Sequence, residues 1–487
     1  MARKKKILLN KDGIDKREIG YYSTPSFVSD YLTTEMLKIN PYGKFVLDPS
    51  VGKEELLKSF YDSGKLIDSF DVIKYLDEYK YSNFILSDFI SYYADLKGNR
   101  FFNHSLTKYD YMIANPPYNC HEVSYIKDNK KWLNSIFEVG AYNMYSMFLS
   151  AMITLAKDGC LIGVLISDSF LTSTYHSKLR EQIFGECSIH QIILCPSDLF
   201  WEQSADVRTC ILILQKGRHY QGQIQISDRP NNTKELISIL SNHKLKSVSL
   251  QSIRLSDTKL CNQILIDVDQ DVTNLFHTFP KLGDIYKCVT CISTGNDEEF
   301  LSVHSKDGFS IPFYKNPAQR KFKSEPDCYL KDNFMDESLT HKTLMVRNKK
   351  LLFHEGIACS SMGLPFSAVY LPKNGVTGVN PTIYPPLNDL DWLISYLNSS
   401  LVTYLVRGVL IRSNMVTSGY VSCLPLLDFE VEEKEKLKMI SLDVRQDNMG
   451  TYDAIRIIDN IIYSKGLLSP RTIDKISSFV ENIYRRV

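Results

Sequence analysis

Short apolar runs in the first half of the chain keep breaking off at an acidic residue or a tight turn, with helical text between them. The runs are 44–48, 66–72, 83–86, 109–114 and 160–166, and the first four lead into Asp48, Asp71, Asp88 and Asn115. Between them lie stretches with helical spacing. The first opens at Thr24-Pro25 and carries Phe27, Val28, Tyr31, Leu32, Met36 and Leu37 on one face, with proline in the first turn. Others are predicted over 54–61, 142–156 and 177–184, and further β-rich runs over 189–194 and 208–215. Strands alternating with helices build a parallel, doubly wound α/β sheet. In such a sheet ligands sit beyond the carboxyl ends of the strands, where these acids and turns fall.

At 487 residues the chain is too long for one ordinary domain. A basic leader is expected over 1–19, a catalytic domain over 20–240, a second domain of mixed α+β character over 241–429, and a helical segment over 430–487. With 44% hydrophobic and 23% charged residues, the composition excludes a disordered or fibrous chain. The longest uninterrupted apolar run, 160–166, is far below the roughly 18 residues of a membrane span. The basic run Arg3-Lys4-Lys5-Lys6 is followed by no signal core. Eleven cysteines, an odd number without a framework, point to reduced thiols and a cytoplasmic location. A net charge of +1 leaves any nucleic-acid binding to local patches. The stretch 315–350 holds nine Lys/Arg against five Asp/Glu, and Lys315, Arg320, Lys321 and Lys323 are its candidate DNA contacts.

The densest chemical signal is Asn115-Pro116-Pro117-Tyr118 at a strand end. Two prolines remove two backbone donors and fix φ, so the Asn115 and Pro116 carbonyls are held without a competing N–H. Beside an aromatic ring, this is a preorganised set of acceptors suited to a planar substrate carrying an amino group. The amide oxygen of Asn115 and the carbonyl of Pro116 would take the amino hydrogens while Tyr118 stacks on the ring. Asp48-Pro49-Ser50-Val51-Gly52 is a second signal, because glycine lets backbone approach a ligand closely. Asp71 is placed for a ribose diol, and Asp88-Phe89 for an adenine ring. Taken singly, an acid after a strand is most often a helix cap.

In this order, Thr24-Pro25, Asp48-Pro49-x-x-Gly52, Asp71, Asp88-Phe89 and Asn115-Pro116-Pro117-Tyr118 resemble the gamma class of DNA amino-methyltransferases. These are the TaqI-type adenine methylases of restriction–modification systems. The likeness continues through Asn143 to Phe148, Gly159 to Phe170, Leu179-Arg180, Leu199-Phe200 and Arg208 to Leu214, and more loosely through Ser293-Thr294-Gly295, Tyr396-Leu397-Asn398-Ser399 and Leu424-Pro425. It implies a Rossmann-like S-adenosylmethionine domain followed by a target-recognition domain. The reaction it implies is methylation of the N6 amino group of an adenine flipped out of duplex DNA, catalysed by Asn115, Pro116 and Tyr118, with Tyr118 and Phe200 on the base. Cofactor contacts are implied for Thr24, Asp48, Pro49, Gly52, Asp71, Asp88, Phe89, Asn115 and Pro117. No metal is implied, and a restriction endonuclease partner would be encoded separately, with no nuclease domain expected before residue 20.

One place departs from the family pattern. Lys53-Glu54-Glu55 stands where the family carries a second glycine, and a carboxylate at position 54 is expected to crowd the cofactor's own carboxylate. Methylation of RNA or of a protein glutamine, and a DNA-binding protein with a degenerate cofactor site, are the competing readings. Cys288-x-x-Cys291 is a single pair without a nearby histidine at ligand spacing, a weak metal signal.

Overall fold

The computed structural model describes residues 20–98, 108–118, 123–203, 207–217, 220, 222–255, 262–317, 320–411 and 415–484. The expected basic leader lies outside them. Packing divides the chain into two compact units, Met1–Asp267 and Val268–Val487.

The first unit is built on a nine-stranded sheet in the order β3-β2-β1-β4-β5-β7-β6-β8-β9. Its strands are β1 (Phe45–Asp48), β2 (Leu66–Asp71), β3 (Asn83–Leu86), β4 (Tyr111–Ala114), β5 (Leu161–Ser167), β6 (Cys187–Leu194), β7 (Thr209–Lys216), β8 (Ile224–Ser227) and β9 (Lys246–Val248). The pairs β1–β2, β2–β3, β1–β4 and β4–β5 are parallel. The sheet departs from the expected parallel arrangement at β7, which runs antiparallel to both β5 and β6, and at β9, antiparallel to β8. Among the described residues no long helix separates β6 from β7, and a parallel neighbour would need such a crossover.

β4, β6 and most of β5 are buried along their length, which is why they read as continuous apolar runs rather than alternating ones. Successive residues still serve opposite faces. Val46, Tyr111 and Ile113 pack with Val28, Leu32 and Met36 of α1 (Ser26–Ile39). Leu47, Met112 and Ala114 pack with Phe89 and Ile90 of α2 (Phe89–Gly98), with α3 (Met144–Leu155) and with α4 (Ser177–Glu186). Gly163 explains itself here: a Cβ on it would lie 2.3 Å from the Met36 sulfur, so glycine lets α1 settle onto β5.

The division after Asp267 falls later than the sequence boundary after residue 240. Leu255 pairs with Gln263, and Ile264 N–H donates to the Leu171 carbonyl at 2.7 Å, tying this stretch to the short helical turn that follows β5. The second unit is mixed α+β, with two four-stranded sheets and the helices Leu387–Leu397, Val431–Arg445, Thr451–Tyr463 and Pro470–Tyr484. The tail from 430 packs into this unit: Ser395 Oγ donates to the Leu437 carbonyl at 2.6 Å. Asn398 joins helix to sheet by bonding both the N–H and the C=O of Ala368. Among the described residues, no single helix is long and apolar enough to cross a membrane.

Candidate active site

The strand order reverses at β1, which lies between β2 and β4. Crevices open at such points beyond the carboxyl ends of the strands. The ends of β1, β2 and β4 present Pro49, Ser50, Asp71, Asn115 and Pro117 to one cleft of about 270 Å3, with Phe89 behind them and Tyr21 and Tyr75 at its side.

After β1 the chain turns tightly. Asp48 is 1% exposed, and one of its oxygens accepts from Ser50 N–H at 3.0 Å. Its other oxygen and the Ser50 hydroxyl are buried without a hydrogen-bond partner among the described residues. Burial pushes the Asp48 carboxyl well above its usual range, reinforced by the nearby Asp71, Glu55 and Glu54 and opposed by the Ser50 N–H. Gly52 follows at φ +55°, and a Cβ there would lie 2.5 Å from the Tyr21 ring. Both the left-handed backbone and the close ring demand glycine. Gly52 N–H donates to Asp71 at 3.0 Å, joining the first turn to the end of β2, and burial raises the Asp71 carboxyl. Tyr21 stacks on Tyr75 with ring centres 4.7 Å apart.

Glu54 does not confront the cleft. It sits at φ +62°, which is the physical reason a glycine suits this place. Its buried carboxylate accepts from Lys80 N–H at 2.8 Å, Tyr81 N–H at 2.9 Å and Ser82 Oγ at 2.8 Å. The expected crowding is therefore corrected: this carboxylate is spent on the 80–82 backbone. Glu54→Gly is expected to weaken cofactor binding rather than tighten it. Relief of left-handed strain gains about 1–2 kcal/mol, whereas each lost bond to a charged acceptor costs about 1.5–3 kcal/mol. A titration showing tighter binding by the glycine variant would contradict this. Glu55 is the carboxylate closer to the cleft wall, accepting from Tyr21 OH, from Ser23 Oγ at 2.9 Å and from Lys53 N–H at 3.0 Å.

Asp88 behaves first as a helix-end acceptor. One oxygen takes Ile90 N–H at 2.9 Å, and the other takes Ser91 Oγ and Tyr125 OH, each at 2.7 Å. Its neighbours Ser87 and Phe89, not its own side chain, line the cleft. Thr24 is likewise absent from the cleft wall and touches Asn115 instead.

Asn115 is held by its amide nitrogen, which donates to the Tyr22 carbonyl at 2.8 Å and to Thr24 Oγ1 at 3.0 Å. Both amide hydrogens are used, so the oxygen is the group on offer. Tyr118 OH lies 2.7 Å from that oxygen and 3.0 Å from the Leu165 carbonyl. Tyr22, Tyr118 and Phe200 form an aromatic triangle with centres 5.8, 5.8 and 6.0 Å apart. Phe200 is fully buried. A ring held between two others needs roughly 3.5–4.0 Å on each side, so Tyr118 and Phe200, tilted by 57° at 6.0 Å, leave no slot in this conformation. Trp201 beside them is 65% exposed.

A family model for the N-6 DNA methylase matches residues 7–254, more than half of the chain. The chain belongs to the N-6 DNA methylase family. Among curated relatives, the Type II methyltransferase M.BanIII of Aneurinibacillus aneurinilyticus is 31% identical over 210 residues, covering 37% of this chain and 36% of the relative. The Type II methyltransferase M.BsuBI of Bacillus subtilis is 26% identical over 207 residues, covering 38% and 40%. The matched region thus spans well under half the length of these relatives. Among solved structures, the Type IIL restriction-modification enzyme MmeI in complex with DNA superposes with a TM-score of 0.54 at 10% identity, over 97% of this chain and 79% of that one. A DrdV–DNA complex gives 0.55 at 11% identity, over 89% and 58%. At such identities the likeness shows the fold alone.

In this N-6 DNA methylase the four candidate DNA contacts of the basic stretch are engaged within the second unit. Lys315 pairs with Asp297, Arg320 with Asp327, and Lys323 with Asp447. Lys321 is buried, donating to the Phe366 carbonyl at 2.8 Å and the Asn398 carbonyl at 3.0 Å, and burial lowers it to about 7. A lysine enclosed in this way cannot reach a phosphate, so that expected DNA contact is withdrawn. The Cys288 thiol donates to the Ser418 carbonyl and Cys291 lies against Tyr384 OH, so each has an ordinary polar neighbour. Motif reading missed Tyr21, Tyr22, Tyr75 and Glu55. The only advance signs were the paired tyrosines before Thr24 and the tyrosine-rich stretch 75–81.

Proposed function

We propose that this protein is a gamma-class methyltransferase acting on the N6 amino group of adenine in duplex DNA, as the modifying arm of a restriction–modification system. The observation that carries the reading is the polarity of Asn115. Its two amide hydrogens are committed to Tyr22 and Thr24, so its oxygen is left as the acceptor, one residue before the Pro116 carbonyl, on a residue that lines the cleft. These two oxygens would accept the hydrogens of an exocyclic amine, raising electron density on its nitrogen.

The residues around the cleft fit S-adenosylmethionine. Asp48 and Ser50 each hold a buried polar atom with no hydrogen-bond partner among the described residues, and Asp71 keeps lone pairs beyond its bonds to Gly52 and Ile73. Asp71 lines the cleft and Glu55 accepts from Tyr21 at its side, so oxygen acceptors stand on that wall. When bound, this cofactor supplies a methyl group on positively charged sulfur. Asp48, Pro49, Ser50, Asp71, Phe89 and Pro117 would hold it, with Gly52 shaping the turn after β1, while Asp88 secures the start of α2 and so the position of Phe89.

A paired adenine is out of reach inside a duplex, so the base must be flipped out. Tyr118 would swing off the Asn115 oxygen to receive it, opening the gap to Phe200, with base stacking on an aromatic worth about 1–3 kcal/mol. The DNA partner would be bound through the second unit, and the relatives' Type II names favour a separately encoded endonuclease. The described cysteines are free thiols, which fits a cytoplasmic setting.

Transfer of labelled methyl from S-adenosylmethionine, offered duplex DNA, RNA and protein side by side, tests this reading. Label recovered in N6-methyl-2′-deoxyadenosine supports it. Label in RNA, in glutamine or in cytosine overturns it.

A further inference from the structure

Residues 21–24 belong to no strand or helix, yet Asn115 leans on them. A carboxamide can turn by half a rotation and exchange its donors for its acceptor at little steric cost. Turned that way, Asn115 would offer hydrogens to an incoming amine, donor against donor. The useful polarity therefore depends on the Tyr22 carbonyl and Thr24 hydroxyl staying where they are.

Ser23, between them, is gripped from two sides. Its N–H donates to Gln203 Oε1 at 2.7 Å, and its carbonyl accepts from Gln203 Nε2 at 2.8 Å. One side chain thus makes the two-bond contact that a neighbouring strand would make. Its hydroxyl donates to Glu55 at 2.9 Å. Gln203 is itself fixed, since its N–H donates to the Phe200 carbonyl at 2.9 Å. A chain of direct contacts therefore runs from the Phe200 turn through Gln203, Ser23 and Thr24 to the Asn115 amide.

We propose that Gln203 is a positioning residue that sets the carboxamide polarity of Asn115, acting through Ser23 and the Thr24 hydroxyl. The proposal rests on the methyltransferase reading of Asn115. It gives Thr24 a role in the chemical step, in keeping with a side chain that meets Asn115 and does not line the cleft.

The test compares Gln203→Leu, Thr24→Val, Thr24→Ser and the Gln203→Leu/Thr24→Val double variant in the full-length protein. Each is measured for single-turnover methyl transfer to duplex DNA at saturating S-adenosylmethionine, with cofactor and DNA affinities alongside. Gln203→Leu and Thr24→Val are each expected to slow transfer by about ten- to a hundredfold, the scale of a small misplacement of a reacting group. Both affinities should stay within about threefold, and Thr24→Ser should restore the rate. Because the two residues share one path, the double variant should be little slower than the worse single one. A Gln203→Leu variant that transfers at the parental rate, or loses rate only in step with cofactor affinity, overturns the proposal. So do effects that simply multiply in the double variant.

A second readout needs neither cofactor nor DNA. In protein labelled with 15N at asparagine, the Asn115 side-chain hydrogens should exchange with solvent at least about tenfold faster in Gln203→Leu and Thr24→Val than in the parent. Unchanged exchange overturns the proposal. A parent protein that keeps these hydrogens protected but transfers no methyl overturns the methyltransferase reading instead.

Discussion

Asn115→Ala is expected to slow single-turnover methyl transfer by about a hundred- to a thousandfold, the cost of one preorganised polar contact in a reacting site. The amine of adenine is a weak nucleophile whose lone pair is drawn into the ring, so the loss should reach the upper end. Cofactor and DNA affinities should change little. The backbone at this point is held without the side chain: β4 keeps its pairing to β5 up to Ala114 and Val164, and two prolines fix the turn that follows. Tyr118 retains the Leu165 carbonyl as a partner, and the Tyr22 carbonyl can turn to water. A variant that transfers methyl within about tenfold of the parent would show that Asn115 serves only the fold.

Arg180→Met is expected to produce the largest loss of stability, about 3–5 kcal/mol in the first unit, because it leaves several buried acceptors unsatisfied at about 1–3 kcal/mol each. Arg180 is fully buried on α4. Its guanidinium donates to the Phe170 carbonyl at 2.6 Å, the Ser173 carbonyl at 2.7 Å, and the carbonyl and side chain of Asn262 at 3.1 and 2.9 Å. Methionine matches the length but leaves these acceptors unsatisfied. Denaturant unfolding of the parent and variant measures the difference, with the first unit followed through cofactor-dependent protection. A shift under about 1 kcal/mol, typical of a surface substitution, would contradict this account of Arg180.

Arg180 also marks where sequence reading ran out. Leu179-Arg180 belongs to the family likeness, but the burial of Arg180 is invisible in the sequence, because its partner Asn262 lies 82 positions away. What could be read was what neighbouring positions carry together. Apolar runs ending on acids located the sheet, and Asn115-Pro116-Pro117-Tyr118 declared its chemistry within four residues. The direction of β7 was not legible, since an apolar run reads the same parallel or antiparallel. Nor was the backbone at Glu54, where a positive φ turns an apparent obstacle into a clasp on residues 80–82. The lysines around 321 were misread for a related reason: charge is visible in a sequence, whereas burial and internal ion pairs come from distant partners. Gln203 grips Ser23 across 180 positions and carries no motif.

The central claim is that the acceptor oxygen of Asn115 serves the amino group of a DNA adenine. Modified-base sequencing of DNA from cells expressing the parent chain, beside cells expressing Asn115→Ala, tests it most directly. The account predicts N6-methyladenine at one recurring sequence with the parent and none with the variant. Unmodified adenine with the parent, a methylated cytosine instead, or the same methylated sites in both would contradict it.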